Sequence, residues 1–145
     1  MGRHGDAIAD FEEGILINPG DAELYYNRGN AKARLDRNED ALVDYDEAIR
    51  LNPAYFEAFT NRGAMKALLD RHQEAVVDFD AAIRLNPSDA QAHYNRGLIL
   101  KELDRVTEAR IDFEAALALA DSIGNSVLQT RVQEALDSLV TPCDR

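Results

Sequence analysis

The tripeptide Asn27-Arg28-Gly29 returns as Asn61-Arg62-Gly63 and again as Asn95-Arg96-Gly97, each time 34 residues later. Leu35-Asp36-Arg37 returns on the same period as Leu69-Asp70-Arg71 and Leu103-Asp104-Arg105. So do Ala41, Ala75 and Ala109, and the aromatics Tyr45, Phe79 and Phe113. The segment Ala48-Ile49-Arg50-Leu51-Asn52-Pro53 recurs as Ala82-Ile83-Arg84-Leu85-Asn86-Pro87. Coincidence on this scale dictates a repeat architecture, in which each unit buries its apolar face only by stacking on its neighbours.

Each unit reads as two helices. The first spans about Asp21 to Leu35 and the second about Asn38 to Leu51, with Asp36 and Arg37 bridging them. Alanine and leucine are plentiful and tryptophan is absent. Unbranched side chains lose little rotamer freedom in a helical turn, so this bias favours helix. Asn52-Pro53 ends the pair, because proline lacks a backbone donor and disfavours helix in the residue before it. Small residues recur where helices must approach closely (Gly29, Ala41 and Ala48, then Gly63, Ala75 and Ala82), and the aromatic of each unit fills the space between neighbouring pairs.

At these residues the chain resembles the tetratricopeptide repeat, whose 34-residue unit carries aromatic, glycine, alanine, aromatic, alanine and proline at set places. The first repeat offers Tyr25, Gly29, Ala41, Tyr45, Ala48 and Pro53. The second offers Phe59, Gly63, Ala75, Phe79, Ala82 and Pro87. The third offers His93, Gly97, Ala109, Phe113 and Ala116, with Asp121 in place of proline. The resemblance implies an all-α fold, a right-handed α-solenoid of stacked helix-turn-helix repeats closed by a C-terminal capping helix. Residues 22–55, 56–89 and 90–123 are expected to form three repeats, after the second helix of a partial leading repeat over residues 1–20.

Both ends depart from the pattern. Ala7, Phe11, Gly14, Ile15, Asn18 and Pro19 match the back half of a repeat whose first helix is missing. The chain is therefore expected either to be a fragment of a longer array or to find cover for this helix elsewhere, as on a second copy. At the other end the lost proline lets the helix from Thr107 run on toward Ser122. A last helix, about Asn125 to Leu139, is expected to bury Val127, Leu128, Val132, Leu136 and Leu139 and to cap the array within residues 124–145.

Composition narrows the function. The formal net charge is -11, from 27 acidic and 16 basic residues, which opposes a phosphate backbone or an anionic membrane surface. No stretch approaches the roughly 20 apolar residues that span a bilayer. A lone cysteine, Cys143, makes no internal disulfide, so a reducing, cytoplasmic setting is expected. The histidines His4, His72 and His93 fall at unrelated places and lack the spacing of a metal site. His93 stands at an aromatic packing place. Gly29, Gly63 and Gly97 are isolated and do not form a phosphate loop. No cofactor, metal or catalytic constellation is expected, and the chain reads as a binding protein and not an enzyme.

Two polar sets recur on the period. Arg28, Arg62 and Arg96 stand where the family usually has an apolar residue, while Asp10, Asp44, Asp78 and Asp112 recur along the second helices. A partly buried arginine needs a carboxylate, so these predict a ladder stitching helices together, within a repeat or between neighbours.

The second set follows from the resemblance, which implies a concave groove lined by the first helices. Its contact places hold Glu23, Tyr26, Asn27, Asn30, Ala33 and Arg34 in the first repeat. They hold Glu57, Thr60, Asn61, Ala64, Ala67 and Leu68 in the second, and Gln91, Tyr94, Asn95, Leu98, Lys101 and Glu102 in the third. All but Ala33, Ala67, Leu68 and Glu102 form the candidate peptide-contact set. Asn27, Asn61 and Asn95 make an asparagine ladder similar to that in the repeat domain of O-linked N-acetylglucosamine transferases. Carboxamides both donate and accept, so such a ladder suits a peptide backbone, although the same side chains can bond to their own helices or to water.

Family members that clamp a chaperone tail do so with cations at places that here hold Tyr26, Gln91 and Asn95. Two clamp asparagines remain, Asn30 and Asn61. The leading expectation is a scaffold or adaptor that binds an extended, neutral or mildly basic peptide or a partner helix. The alternatives are homo-oligomers formed through an exposed Ile8, Phe11 and Ile15 face, and an interaction module of a larger enzyme.

Overall fold

The computed structural model describes residues 2–139, which form eight α-helices. They are α1 (Gly2–Ile17), α2 (Ala22–Ala33), α3 (Asn38–Leu51), α4 (Phe56–Leu68), α5 (His72–Leu85), α6 (Ala90–Glu102), α7 (Val106–Ser122) and α8 (Ser126–Asp137). Cys143 and the rest of the C-terminal tail lie outside the described residues. The chain divides between Asp78 and Phe79, within α5, into two compact units.

In the first unit α1 packs on α2, α2 on α3, and α3 on α4. Asp21 caps α2 by accepting from the Glu23 N–H at 2.9 Å, which satisfies one of the donors every helix start leaves open. The Leu-Asp-Arg motif proves to be a C-cap. Asp36 has φ 57°, its N–H donates to Ala33 O at 3.1 Å, and the Arg37 N–H reaches Lys32 O at 3.0 Å. This is a Schellman motif with aspartate where glycine is usual. It repeats at Asp70 (φ 58°) and Asp104 (φ 59°), which is why α2 stops at Ala33, short of the expected Leu35.

In the second unit α6 packs on α7 and α7 on α8. Without a proline, α7 runs on to Ser122, and Gly124 at φ 67° makes the same left-handed turn. Asn125 then caps α8, accepting from the Leu128 N–H at 3.1 Å. The buried face of α8 is Leu128, Val132, Ala135 and Leu139. Val127, expected inside, is 69% exposed. It sits one residue, about 100° of rotation, away from Leu128, and Ala135 completes the buried face instead.

The core is built by the small residues and aromatics of the period. Tyr45, Phe79 and Phe113 are 1%, 1% and 0% exposed, and Ala41, Ala48, Ala75, Ala82, Ala109 and Ala116 are all fully buried. Contact is tight enough to require glycine. A Cβ on Gly29 would lie 2.8 Å from the Tyr45 ring, and one on Gly97 would lie 2.6 Å from the Phe113 ring.

The arginine-aspartate ladder runs in both of the directions the sequence left open. Within a repeat the pairs are bidentate. Arg28 Nε and Nη2 donate to Asp44 at 2.9 and 2.6 Å, and Arg62 to Asp78 at 2.9 and 2.6 Å. Arg96 donates to Asp112 at 2.7 Å through both nitrogens. The third guanidinium nitrogen reaches back to the preceding helix, Arg62 to Asp46 at 2.7 Å and Arg96 to Asp80 at 2.6 Å. One planar cation thus ties three helices, which a lysine's single ammonium does not match. Lys32 and Lys66 add a second cation to Asp44 and Asp78, each at 2.8 Å. In the third repeat that lysine is Leu100, and His93 Nδ1 stands 3.1 Å from Asp112 instead.

The expectation that α1 exposes Ile8, Phe11 and Ile15 is corrected. Ile8 is 8% exposed, and Phe11 and Ile15 are half-buried, because α1 lies against α2. Its exposed large apolar side chains among the described residues are Leu16 and Ile17.

Candidate peptide-binding site

Between α2 and α4 in the first unit lies a hollow of about 360 Å³ lined by Tyr26, Asn30, Ala33, Arg34, Tyr45, Asn61, Ala64 and Met65. Its polar groups form one network. Asn30 Oδ1 accepts from the Tyr45 hydroxyl at 2.7 Å and from Asn61 Nδ2 at 2.8 Å. Asn61 Nδ2 also donates to the Tyr26 hydroxyl oxygen at 3.1 Å. The Tyr26 ring is set by Tyr55 and Tyr45, with centroids 4.8 and 6.1 Å away. Burial raises the Tyr45 phenol far above its ordinary range. Burial, with Tyr26 and the nearby carboxylates of Glu23, Glu57 and Asp21, pushes Tyr55 up to about 12. Both therefore remain neutral, and the Tyr45 hydroxyl keeps its proton for Asn30.

The network leaves a defined set of groups without partners among the described residues. Both Asn61 amide hydrogens and the Asn30 carbonyl oxygen are occupied. The Asn30 amide nitrogen and the Tyr26 hydroxyl proton remain as donors, and Asn61 Oδ1 remains as an acceptor. Arg34, the C-cap of α2, is exposed at the rim and makes no ion pair among the described residues. The hollow thus offers two donors and an acceptor among the apolar side chains of Ala33, Ala64 and Met65.

Five of the predicted contact residues meet here: Tyr26, Asn30, Arg34, Asn61 and Ala64. Glu23 lies on the exposed first turn of α2 and Asn27 is half-buried, with no side-chain hydrogen bond among the described residues. Glu57 is half-buried at the start of α4. Thr60 offers a ligand least, being 8% exposed with its hydroxyl donating to Phe56 O at 3.1 Å.

In the second unit Asn95 Oδ1 accepts from Gln91 Nε2 at 2.8 Å, and Tyr94 stacks beside Phe113 at 6.0 Å. Leu98 is half-buried, and Lys101 is tied to Ser138 Oγ at 2.9 Å, bracing the end of α8.

Sequence reasoning missed Tyr45 and Met65. The signal for Tyr45 was present. It is the one hydroxylated member of the Tyr45, Phe79 and Phe113 set, and the same repeat alone carries asparagine at the place held by Ala64 and Leu98. Tyr45→Phe is expected to lower stability by about 1 kcal/mol, since Asn30 Oδ1 keeps its bond from Asn61; thermal denaturation followed by circular dichroism checks this.

Other hollows are less suited to a ligand. One over α3, α4 and α5 is lined by Glu39, Asp46, Lys66, Arg71 and Glu74 with Leu42 and Val43, and its charges are largely paired internally, Lys66 with Asp78 and Arg71 with Glu74. Another, beside α7 and α8, carries the carboxylates Asp121, Glu134 and Asp137. Among the described residues no cluster of three or more His, Cys, Asp or Glu is arranged to hold a metal, and no helix is long and apolar enough to cross a membrane.

A comparison with curated protein sequences finds no match. Among solved structures, the Arabidopsis OM64 TPR domain is similar at 28% identity and a TM-score of 0.74, over 82% of this chain and 96% of that one. MamA from Desulfovibrio magneticus RS-1 is similar at 20% identity and a TM-score of 0.77, over 95% of this chain and 84% of its own. The first TPR of Spaghetti (RPAP3), solved bound to the HSP90 peptide SRMEEVD, matches at 23% identity and a TM-score of 0.74, over 83% of this chain and 94% of its own. Family models described as tetratricopeptide repeat match residues 22–55 and 90–122, and one described as TPR repeat matches residues 68–104, together more than half of the chain. With its periodic helix pairs, its glycine-to-aromatic contacts and these matches, the chain belongs to the tetratricopeptide repeat family, an all-α fold of the α-solenoid class.

Proposed function

We propose that this protein is an interaction module that binds an extended peptide segment in the hollow between α2 and α4. One observation carries the reading: Asn61 Nδ2 donates to Asn30 Oδ1 at 2.8 Å across the hollow, which leaves the Asn30 amide and the Asn61 carbonyl oxygen without a partner among the described residues. A peptide backbone presents both a C=O and an N–H, so it can accept from Asn30 and donate to Asn61 whatever its side chains. Tyr26, Ala33, Ala64 and Met65 supply apolar contact for a side chain of the ligand, and tyrosine does so at little entropic cost.

A domain of the same fold is solved with a peptide bound, which supports this class of function. The ligand differs in kind from a chaperone tail, because the cationic places of that clamp hold Tyr26, Gln91 and Asn95 here. Gln91, Tyr94, Asn95 and Leu98, with Glu23, Asn27, Glu57 and Lys101, are proposed as further contacts outside the hollow.

The test is selection of peptides from a display library on the intact protein, followed by calorimetric titration of the selected peptides. Asn61→Ala is expected to weaken binding about tenfold or more, with an unchanged helical circular-dichroism spectrum. Selected peptides that bind the variant as tightly as wild type would place the site elsewhere, and a selection that yields no binders would end the reading.

A further inference from the structure

Glu23, Tyr26, Asn30 and Arg34 form a row on one face of α2, since residues three and four apart are neighbours on a helix surface. Glu57, Asn61 and Ala64 form the matching row on α4. The two helices run in the same direction along the hollow. Tyr26 meets Tyr55 and Asn61 toward the helix starts, Asn30 meets Asn61 next, and Ala33 and Arg34 line the hollow with Ala64 and Met65 toward the helix ends.

Charge is separated along these rows. Glu23 and Glu57 lie in the first turns of α2 and α4, and neither makes an ion pair among the described residues. Arg34 closes α2 at the opposite end. Between Ala22 and Asp78 every other lysine and arginine, from Arg28 to Arg71, holds a carboxylate, and Arg34 alone holds none among the described residues. The uncommitted cation of that stretch is thus one that lines the hollow. The tyrosines register the difference. Burial is the largest cause of the raised Tyr55 phenol, and after Tyr26 the carboxylates of Glu23 and Glu57 add to it. Tyr45 is also raised chiefly by burial, but there Arg34 acts in the opposite sense. A helix end carries only about half a unit charge, so each of these full charges exceeds the dipole that favours it.

We infer, on the reading of the hollow as a peptide site, that the bound segment carries one basic and one acidic side chain about five residues apart, the base over Glu23 and Glu57 and the acid against Arg34. The step from Glu23 to Arg34 covers about 16 Å of helix at about 1.5 Å per residue. An extended chain at about 3.3 Å per residue spans that in about five. Charge thereby fixes which end of the ligand lies at Tyr55. The formal net charge of -11 by itself would favour a doubly basic ligand. Arg34 opposes a second cation at its end and asks instead for a carboxylate, which accepts from a guanidinium through two oxygens.

The probes are hexapeptides blocked at both termini, so that no terminal charge takes part, with the sequences Lys-Thr-Leu-Ser-Thr-Glu and Glu-Thr-Leu-Ser-Thr-Lys. Two control peptides carry glutamine at both ends or lysine at both ends. Each is titrated into the full-length protein and followed by NMR through the side-chain amide signals of Asn30 and Asn61. The tighter of the two dipolar peptides is expected to bind about fivefold more tightly than the glutamine peptide, and the lysine peptide no more tightly than the glutamine one. Arg34→Gln is expected to remove the part of that gain supplied by the acidic residue, and Glu23→Gln combined with Glu57→Gln the part supplied by lysine. An unchanged circular-dichroism spectrum shows that these variants fold. Equal binding of the dipolar and glutamine peptides, each weakened by Asn61→Ala, would overturn the charge pattern and leave the peptide site standing. Tightest binding by the lysine peptide, or a gain that survives Arg34→Gln intact, would overturn it in favour of net charge alone. No response to any of the peptides at millimolar concentration would end the peptide reading of the hollow, and the charge pattern with it.

Discussion

Asp112→Ala is expected to destabilise the second unit by about 3 kcal/mol, read as a lower midpoint in urea denaturation. The carboxylate is 3% exposed and accepts from Arg96 twice at 2.7 Å, with His93 Nδ1 at 3.1 Å. Removing it leaves Nε and Nη2 of a guanidinium that is only 22% exposed without their acceptor, Asp80 holding Nη1 alone. The loss therefore contains the unmet solvation of that cation and not the pair alone. Asp80→Ala removes the other carboxylate on the same arginine, but that group is 50% exposed, so a loss of about 0.5 kcal/mol is expected. Equal losses from the two variants would mean that burial does not set the strength of this ladder.

The same carboxylate shapes the acid limb. Burial by itself would raise its pKa, but hydrogen bonds and charge from Arg96 and His93 outweigh burial and hold it below the ordinary 3.8. A carboxyl group whose folded value lies below its unfolded one stabilises the fold above the unfolded value, and that contribution disappears as pH falls through the folded one. Wild type is expected to lose this increment on acidification below about pH 4. Asp112→Asn, less stable at neutral pH, has no such increment left to lose, so the two stabilities converge in acid.

Gly97→Ala is expected to cost about 2 kcal/mol, although alanine is the better helix former by about 1 kcal/mol. The added Cβ would stand 2.6 Å from Phe113 Cε1 and 2.8 Å from Cδ1, and Phe113 is fully buried with no solvent side to move toward. Phe113→Leu shortens the ring and by itself costs about 1 to 2 kcal/mol. Because it opens the space that the alanine needs, the double variant should lose less than the sum, with a coupling of at least about 1 kcal/mol. Gly5→Ala is the control. A Cβ there meets nothing within 4 Å, so that change is expected to be neutral or slightly stabilising. Strict additivity in the cycle would mean that Gly97 is needed for some reason other than the Phe113 contact.

Much of this was legible in the chain. The period placed the helix pairs, the small residues and the aromatics, and the coincidence of arginine and aspartate on that period announced the ladder. Such features are local or repeated, and repetition lets one unit's pattern be read in another's. The Leu-Asp-Arg motif was legible as a bridge but not as a left-handed cap, since aspartate at positive φ is uncommon and only the backbone shows it. Val127 was read onto the apolar side of the last helix, with Leu128, Val132, Leu136 and Leu139. It is exposed because it lies one residue, about 100° of rotation, from the buried Leu128.

Sequence by itself determined the architecture, because stacking is the only way helix pairs of this pattern bury their faces, and it named the residues that hold each pair together. The tertiary structure decided the use of the polar groups. It showed that each ladder arginine from the second repeat on holds an aspartate of its own repeat and one of the preceding helix. It also engaged the Asn61 donors with Tyr26 and Asn30. Hydrogen-bond partners and burial depend on side chains brought together from distant turns of chain, within distances of about 3 Å, and a sequence period, which ranks residues only by place, does not carry that information.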